Sequence, residues 1–181
     1  MEELEKSNNT NQNTVVPNNE VIPYNLDNIY EDKMSVRIIS PAYSGKNGEL
    51  TAILQYVYQN MIFENLNYKY IAEQLEKILL EEMNHFELLG KTILRLGVDP
   101  IYTAYPPIRD NYYNSRFVNY TTNPRQMLLS SIIGEQQAIN DYKNILNKLT
   151  NQEVKNVIKY ILQEEEQHLK ILEELLILIN A

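Results

Sequence analysis

A chain of 181 residues, 44% of them hydrophobic, has enough apolar side chain for one substantial core and too little for two. Its net charge of −8, with no cluster of Lys and Arg, argues against nucleic acid as a partner. The absence of Cys excludes disulfides, thiolate nucleophiles and Cys-ligated zinc or iron, so any metal must be held by oxygen and imidazole nitrogen.

Residues 1–20 are rich in Asn and other polar side chains and have little to bury, so a disordered tail is expected there. They contain no apolar run behind a basic start, and no later stretch approaches the roughly 18 apolar residues of a membrane span, so a cytoplasmic location is expected. Residues 21–47, with Pro, Asn and Gly scattered through them, predict an irregular lead-in. Residues 48–181 then carry four stretches of helical periodicity.

The first helix is predicted over about 48–64, with Glu49, Ile53, Tyr56, Val57, Asn60 and Phe63 on one face. The second is predicted over about 68–96, with Gly97 as a C-terminal cap and Pro100 beyond it. Residues 98–124 hold four prolines and suit a long crossover, whose Tyr102, Tyr105, Tyr112 and Tyr113 read as packing across the bundle or as an oligomer contact. The third helix is predicted over about 125–149 with Leu128, Ile132, Glu135, Ile139, Tyr142 and Leu146 inward. Thr150 or Asn151 caps the fourth, whose stripe is Val154, Ile158, Ile161, Leu162, Glu165, His168, Leu172 and Leu176.

Each stripe is apolar except at one level, where Glu49, Glu82 with His85, Glu135, and Glu165 with His168 intrude. The halves of the chain repeat one another: "GELTAILQY" at 48–56 reads against "GEQQAINDY" at 134–142, and "LLEEMNHFELL" at 79–89 against "LQEEEQHLKIL" at 162–172. From Glu49 to Glu82 is 33 residues, and from Glu135 to Glu165 is 30. Two similar hairpins packed face to face about a pseudo-twofold axis would bring these charges to one depth.

Glu and His three apart on a helix are one turn apart on the same face, about 4.5 Å in rise, and can grip one ion. Four buried carboxylates without partners would each be strongly disfavoured and would repel one another. Two divalent cations balance four carboxylates beside two neutral imidazoles, and oxygen-rich ligation with one imidazole per ion suits manganese or iron. The six residues Glu49, Glu82, His85, Glu135, Glu165 and His168 are therefore candidate metal ligands, and Ala52 and Ala138 leave room beside them. Glu81, Glu164 and Glu166 are read as solvated neighbours. Tyr56 and Tyr142 read either as core packing or as hydrogen-bond donors or one-electron relays beside a ligand.

One Glu from each of two helices plus Glu-x-x-His from each of the other two resembles the pattern of the ferritin-like di-metal carboxylate superfamily. "GELTAILQYVYQ" and "EEMNHFELLG" in particular are similar to the ligand helices of its manganese catalase and rubrerythrin branches, including small catalases related to spore-coat proteins. The resemblance covers about residues 45–178. It implies an all-α, ferritin-like four-helix bundle with a long crossover between helices two and three, holding two manganese ions or, as the alternative, two iron ions. It also implies disproportionation of hydrogen peroxide to water and dioxygen by a homo-oligomer, a dimer or a hexamer, with the spore coat as an alternative location. In manganese catalases the glutamate matching Glu165 is often an outer-sphere base and the one matching Glu82 bridges, so Glu165 is also the candidate catalytic base. Rubrerythrins carry a Cys-ligated iron domain, and an extra Glu where Ala138 stands here, so a di-iron peroxidase or ferroxidase with an external electron donor is the second reading. A structural coat protein stabilised by its metal pair is the third.

Overall fold

The computed structural model describes residues 24–180; the expected polar tail, 1–20, lies outside them. The four periodic stretches form long helices: α2 over Glu49–Asn65, α3 over Lys69–Arg95, α4 over Pro124–Lys148 and α5 over Gln152–Asn180. Several ends have a local cause. Pro124 sits in the first turn of α4 behind Asn123, whose side chain accepts from the Gln126 N–H. The Asn151 side chain accepts from the Glu153 and Val154 N–H groups and so starts α5. Gly97, at φ 85°, closes α3 as the sequence predicts.

Two expectations are corrected. The second half of the supposed irregular lead-in is a helix, α1 over Lys33–Ser44. Asp32 caps it by accepting from the Met34 and Ser35 N–H groups at 3.0 and 3.2 Å, and Val36, Ile39 and Tyr43 bury one face of it. Pro41 falls near its end and costs the helix one hydrogen bond, which the packed face outweighs. The buried face of α2 is also turned from the expected one: Val57 is 37% exposed, whereas Gln59 is fully buried. The Gln59 amide donates to the Met127 carbonyl at 3.1 Å and accepts from the Ser131 hydroxyl at 2.8 Å, so its burial leaves no polar atom stranded.

The short link between α2 and α3 makes one antiparallel hairpin, and the link between α4 and α5 makes the other. Their apolar residues fall into two separate clusters. One holds Phe63, Leu75, Ile78, Met127, Leu128 and Leu172; the other holds Ile39, Leu89, Ile93, Ile145, Val154 and Ile158. Along α3, α4 and α5 the chain passes from one cluster to the other, and Glu82, His85, Glu135, Glu165 and His168 occupy the interval. A polar layer thus lies between two dry ones.

Helices α3 and α4 run in the same sense between these clusters, so the segment between them must return along the bundle. It contains two short 3-10 turns and is tied down by side chains. Gln55 and the Asn119 backbone exchange two hydrogen bonds at 2.9 and 2.7 Å, and the Tyr58 hydroxyl donates to the Tyr120 carbonyl. Tyr102 packs against Tyr43 and Phe86 while remaining half exposed. No described helix is long and apolar enough to cross a membrane.

Candidate metal centre

All six side chains singled out in the sequence meet in the polar layer, each buried to 4% exposure or less. They divide into two groups of four whose donor atoms lie within 4.8 Å of one another. Glu49, Glu82, His85 and Glu165 form one; Glu82, Glu135, Glu165 and His168 form the other. Glu82 and Glu165 belong to both. Glu165 therefore stands in the same relation to the two groups as Glu82.

The imidazoles face inward through Nδ1. His85 Nδ1 lies 3.2 Å from Glu165 and 3.6 Å from Glu82, and His168 Nδ1 lies 3.0 Å from Glu82 and 3.7 Å from Glu165. Yet both Glu82 oxygens, Glu165 Oε1 and both Nδ1 atoms are buried without a hydrogen-bond partner. Buried polar atoms are almost always satisfied. Five converging orphans, all of oxygen or imidazole type, have the chemistry of a donor set for two cations, and the residues present fit such a pair.

The outward Nε2 atoms identify residues that the sequence reading missed. His85 Nε2 lies 2.7 Å from Glu164, and His168 Nε2 lies 2.7 Å from Glu81. Each imidazole is thereby oriented by the hairpin opposite its own. The Tyr160 hydroxyl donates to Glu164 at 2.7 Å and steadies it in turn. Glu81 and Glu164, expected from the sequence to be solvated, both reach across to the neighbouring hairpin, Glu81 while 48% exposed. The signal was present in the paired Glu of "EEMNH" and "EEEQH", where both members of the doublet recur in both halves.

Tyrosines make a second set of crossed contacts. The Tyr56 hydroxyl, from α2, donates to Glu135 of α4, and the Tyr142 hydroxyl, from α4, donates to Glu49 of α2. Burial first, and the facing carboxylates second, push both phenols well above their ordinary value, so both remain donors.

Without cations the layer balances its charge with protons. Burial first, then the Glu82 and Glu165 charges, push Glu49 well above the usual carboxylate range, and burial with the same two charges does so to Glu135. Burial opposes the charge on His168, but Glu165, Glu81 and Glu82 together raise its pKa to about 12; Glu164, Glu165 and Glu82 likewise outweigh burial to raise His85. Glu82 and Glu165 stay ionised against their burial, held by Glu49 or Glu135 and the two imidazoles.

A pocket of about 490 Å³ opens onto this layer from the side of α2 and α4. Glu49, Glu82, Glu135, Glu165 and Tyr56 form its base, and neither imidazole lines it. Access from solvent is thus to the carboxylates, with the histidines behind them.

A family model described as a ferritin-like domain matches residues 46–181. A probable manganese catalase of Clostridium acetobutylicum is 27% identical over 150 residues, covering 73% of this chain; the match spans only 65% of that protein. Among solved structures, KatB, a manganese catalase from Anabaena, superposes with a TM-score of 0.77 at 20% identity over 89% of this chain and 77% of its own. Bacterioferritin BfrA of Mycobacterium tuberculosis superposes with a TM-score of 0.68 at 20% identity over 83% of this chain and 89% of its own. At these identities the superpositions speak to the fold alone.

Proposed function

The chain belongs to the ferritin-like domain family, and on that premise we propose that it is a di-manganese enzyme that disproportionates hydrogen peroxide to water and dioxygen. The observation that carries this reading is the pair of four-residue groups sharing Glu82 and Glu165 beneath a pocket open to solvent. Glu49 and His85 would hold one ion, Glu135 and His168 the other, and Glu82 both, which leaves Glu165 beside the pair for proton transfer. When bound, such a pair supplies two redox equivalents that oxidise one peroxide and reduce the next, without an external electron donor.

The side chains have separate tasks. Glu81 and Glu164 fix the imidazoles with Nδ1 inward. Tyr56 and Tyr142 hold Glu135 and Glu49 in place, and the two apolar clusters exclude water from either side. Glu165 lines the pocket, and it is the residue we assign to take the proton of the incoming peroxide and return it to the departing oxygen. Manganese is preferred to iron because the Clostridium relative is a probable manganese catalase.

Elemental analysis of protein purified without added metal, combined with oxygen release on addition of peroxide, tests the reading. Manganese with oxygen release is the expected result. Iron, with peroxide consumed only when a reductant is present, would replace it by the peroxidase reading. Two bound ions with no turnover would leave the pair a structural role.

A further inference from the structure

The pocket above the carboxylates is much larger than hydrogen peroxide requires. Its volume of about 490 Å³ falls within the roughly 300–1,000 Å³ typical of sites for organic ligands. A molecule of two oxygens needs on the order of two waters' share of liquid, about 60 Å³. The space exists because Ala52, Gly134 and Ala138 line it with almost no side chain. A Cβ placed on Gly134 would meet nothing within 4 Å, so nearly any other residue there would project into the opening.

The walls are fixed by hydrogen bonds. Gln55 is bonded twice to Asn119 of the crossover, and Ser131 is bonded to the buried Gln59. Their chemistry is neutral, with amides and hydroxyls of Gln55, Ser130 and Gln137 beside the apolar Ile133 and Phe117. Lys46 is the only cation among the described lining residues, and the base is a layer of carboxylates. Such a lining disfavours anions and suits an uncharged molecule with an apolar body and a hydroxyl-like head.

We propose that this pocket admits a neutral organic hydroperoxide, alkyl or aryl, as a second substrate of the same centre. The inference rests on the peroxide-disproportionating reading above. The net reaction is ROOH + H2O2 → ROH + H2O + O2. The O–O bond of the organic hydroperoxide breaks and takes up two electrons and two protons, giving the alcohol and water. Hydrogen peroxide supplies both electrons and both protons and leaves as dioxygen. No further reductant is needed.

Two measurements on the full chain test it. Cumyl alcohol, the unreactive product of cumene hydroperoxide, is titrated against wild type and Gly134→Phe, with and without bound manganese, and followed by ligand-observed NMR. Saturable binding to wild type, weakened about tenfold or more in Gly134→Phe, is the expected result. Consumption of cumene hydroperoxide in the presence of hydrogen peroxide should fall about tenfold or more in that variant relative to its turnover of hydrogen peroxide alone. Ala138→Leu, from the same wall, serves as the second variant if Gly134→Phe does not fold. Absence of saturable binding to wild type, or binding that neither substitution weakens, overturns the inference even where hydrogen peroxide is turned over. Saturable binding without any turnover of hydrogen peroxide would instead overturn the reading on which it rests.

Discussion

A histidine can ligate through either nitrogen, and the group on its far side decides which. Here Glu164 takes Nε2 of His85 and Glu81 takes Nε2 of His168, leaving Nδ1 of each ring to the centre. Glu164→Gln and Glu81→Gln keep the shape but lose the charge, and each is expected to weaken metal binding about 10- to 100-fold in a competitive chelator titration. The larger loss belongs to Glu164, which is less exposed than Glu81 and anchored by Tyr160. Equal affinity to wild type in both variants would mean that these carboxylates do not orient the rings. Removing a ring itself is more severe: His85→Ala and His168→Ala are expected to lose metal, and with it the thermal stability that metal confers. Full occupancy in both would refute the ligand assignment by inductively coupled plasma analysis alone.

Each helix was legible in the sequence to the degree that its residues conformed to a single rule. The first three long helices fall within a residue or two of their expected bounds and the fourth starts at its expected cap, because the apolar period is sustained in each and is supported by Gly97 after α3 and by Asn123 and Asn151 before α4 and α5. The rule failed where a polar side chain found its own partner. Gln59 is buried because Met127 and Ser131 satisfy it, and an apolar-inward reading put Val57 in its place. Glu81 and Glu164 escaped for the converse reason: their stems leave from an outward line, but a glutamate is long enough to reach the next hairpin. The site was visible through its repeat, which periodicity alone would not have revealed. For Tyr56 and Tyr142 core packing and hydrogen bonding coincide, since each is buried and each donates to a candidate ligand. Helix α1 was hidden by Pro41, though Asp32 marks its start, and that cap can be tested. Asp32→Ala is expected to cost about 1 kcal/mol in denaturant unfolding at neutral pH. The Ser35 hydroxyl, helped by the Ser35 and Met34 N–H groups, holds the Asp32 carboxyl below its ordinary 3.8 against the opposing effect of burial. Its folded pKa being depressed, the contribution is complete above 3.8 and is lost as pH falls through the folded value, so the gap between wild type and variant should close in acid.

Across the whole molecule, each group of four draws ligands from both hairpins, since Glu165 completes the group built on α2 and α3, and Glu82 the one built on α4 and α5. A metal pair held there would therefore clamp the halves together as well as serve as a cofactor. In the metal-free chain the same balance is kept by protons on Glu49, Glu135, His85 and His168, with Glu82 and Glu165 ionised. Loading two divalent ions exchanges one neutral layer for another and should release about four protons per chain. Calorimetric titrations near neutral pH, in two buffers of different ionisation enthalpy, give that number directly. Because protons and metal compete for the same atoms, affinity must rise with pH over the range in which those groups are protonated. At free metal about 1,000 times the dissociation constant, each ion adds about 4 kcal/mol to the folded state, so the pair adds about 8, which for a chain of this size is a rise in Tm of about 16–32 °C. A chelator should remove that increment. If Tm does not move with metal while four protons are still released, the ions bind the unfolded chain as well as the folded one and do not clamp the two halves.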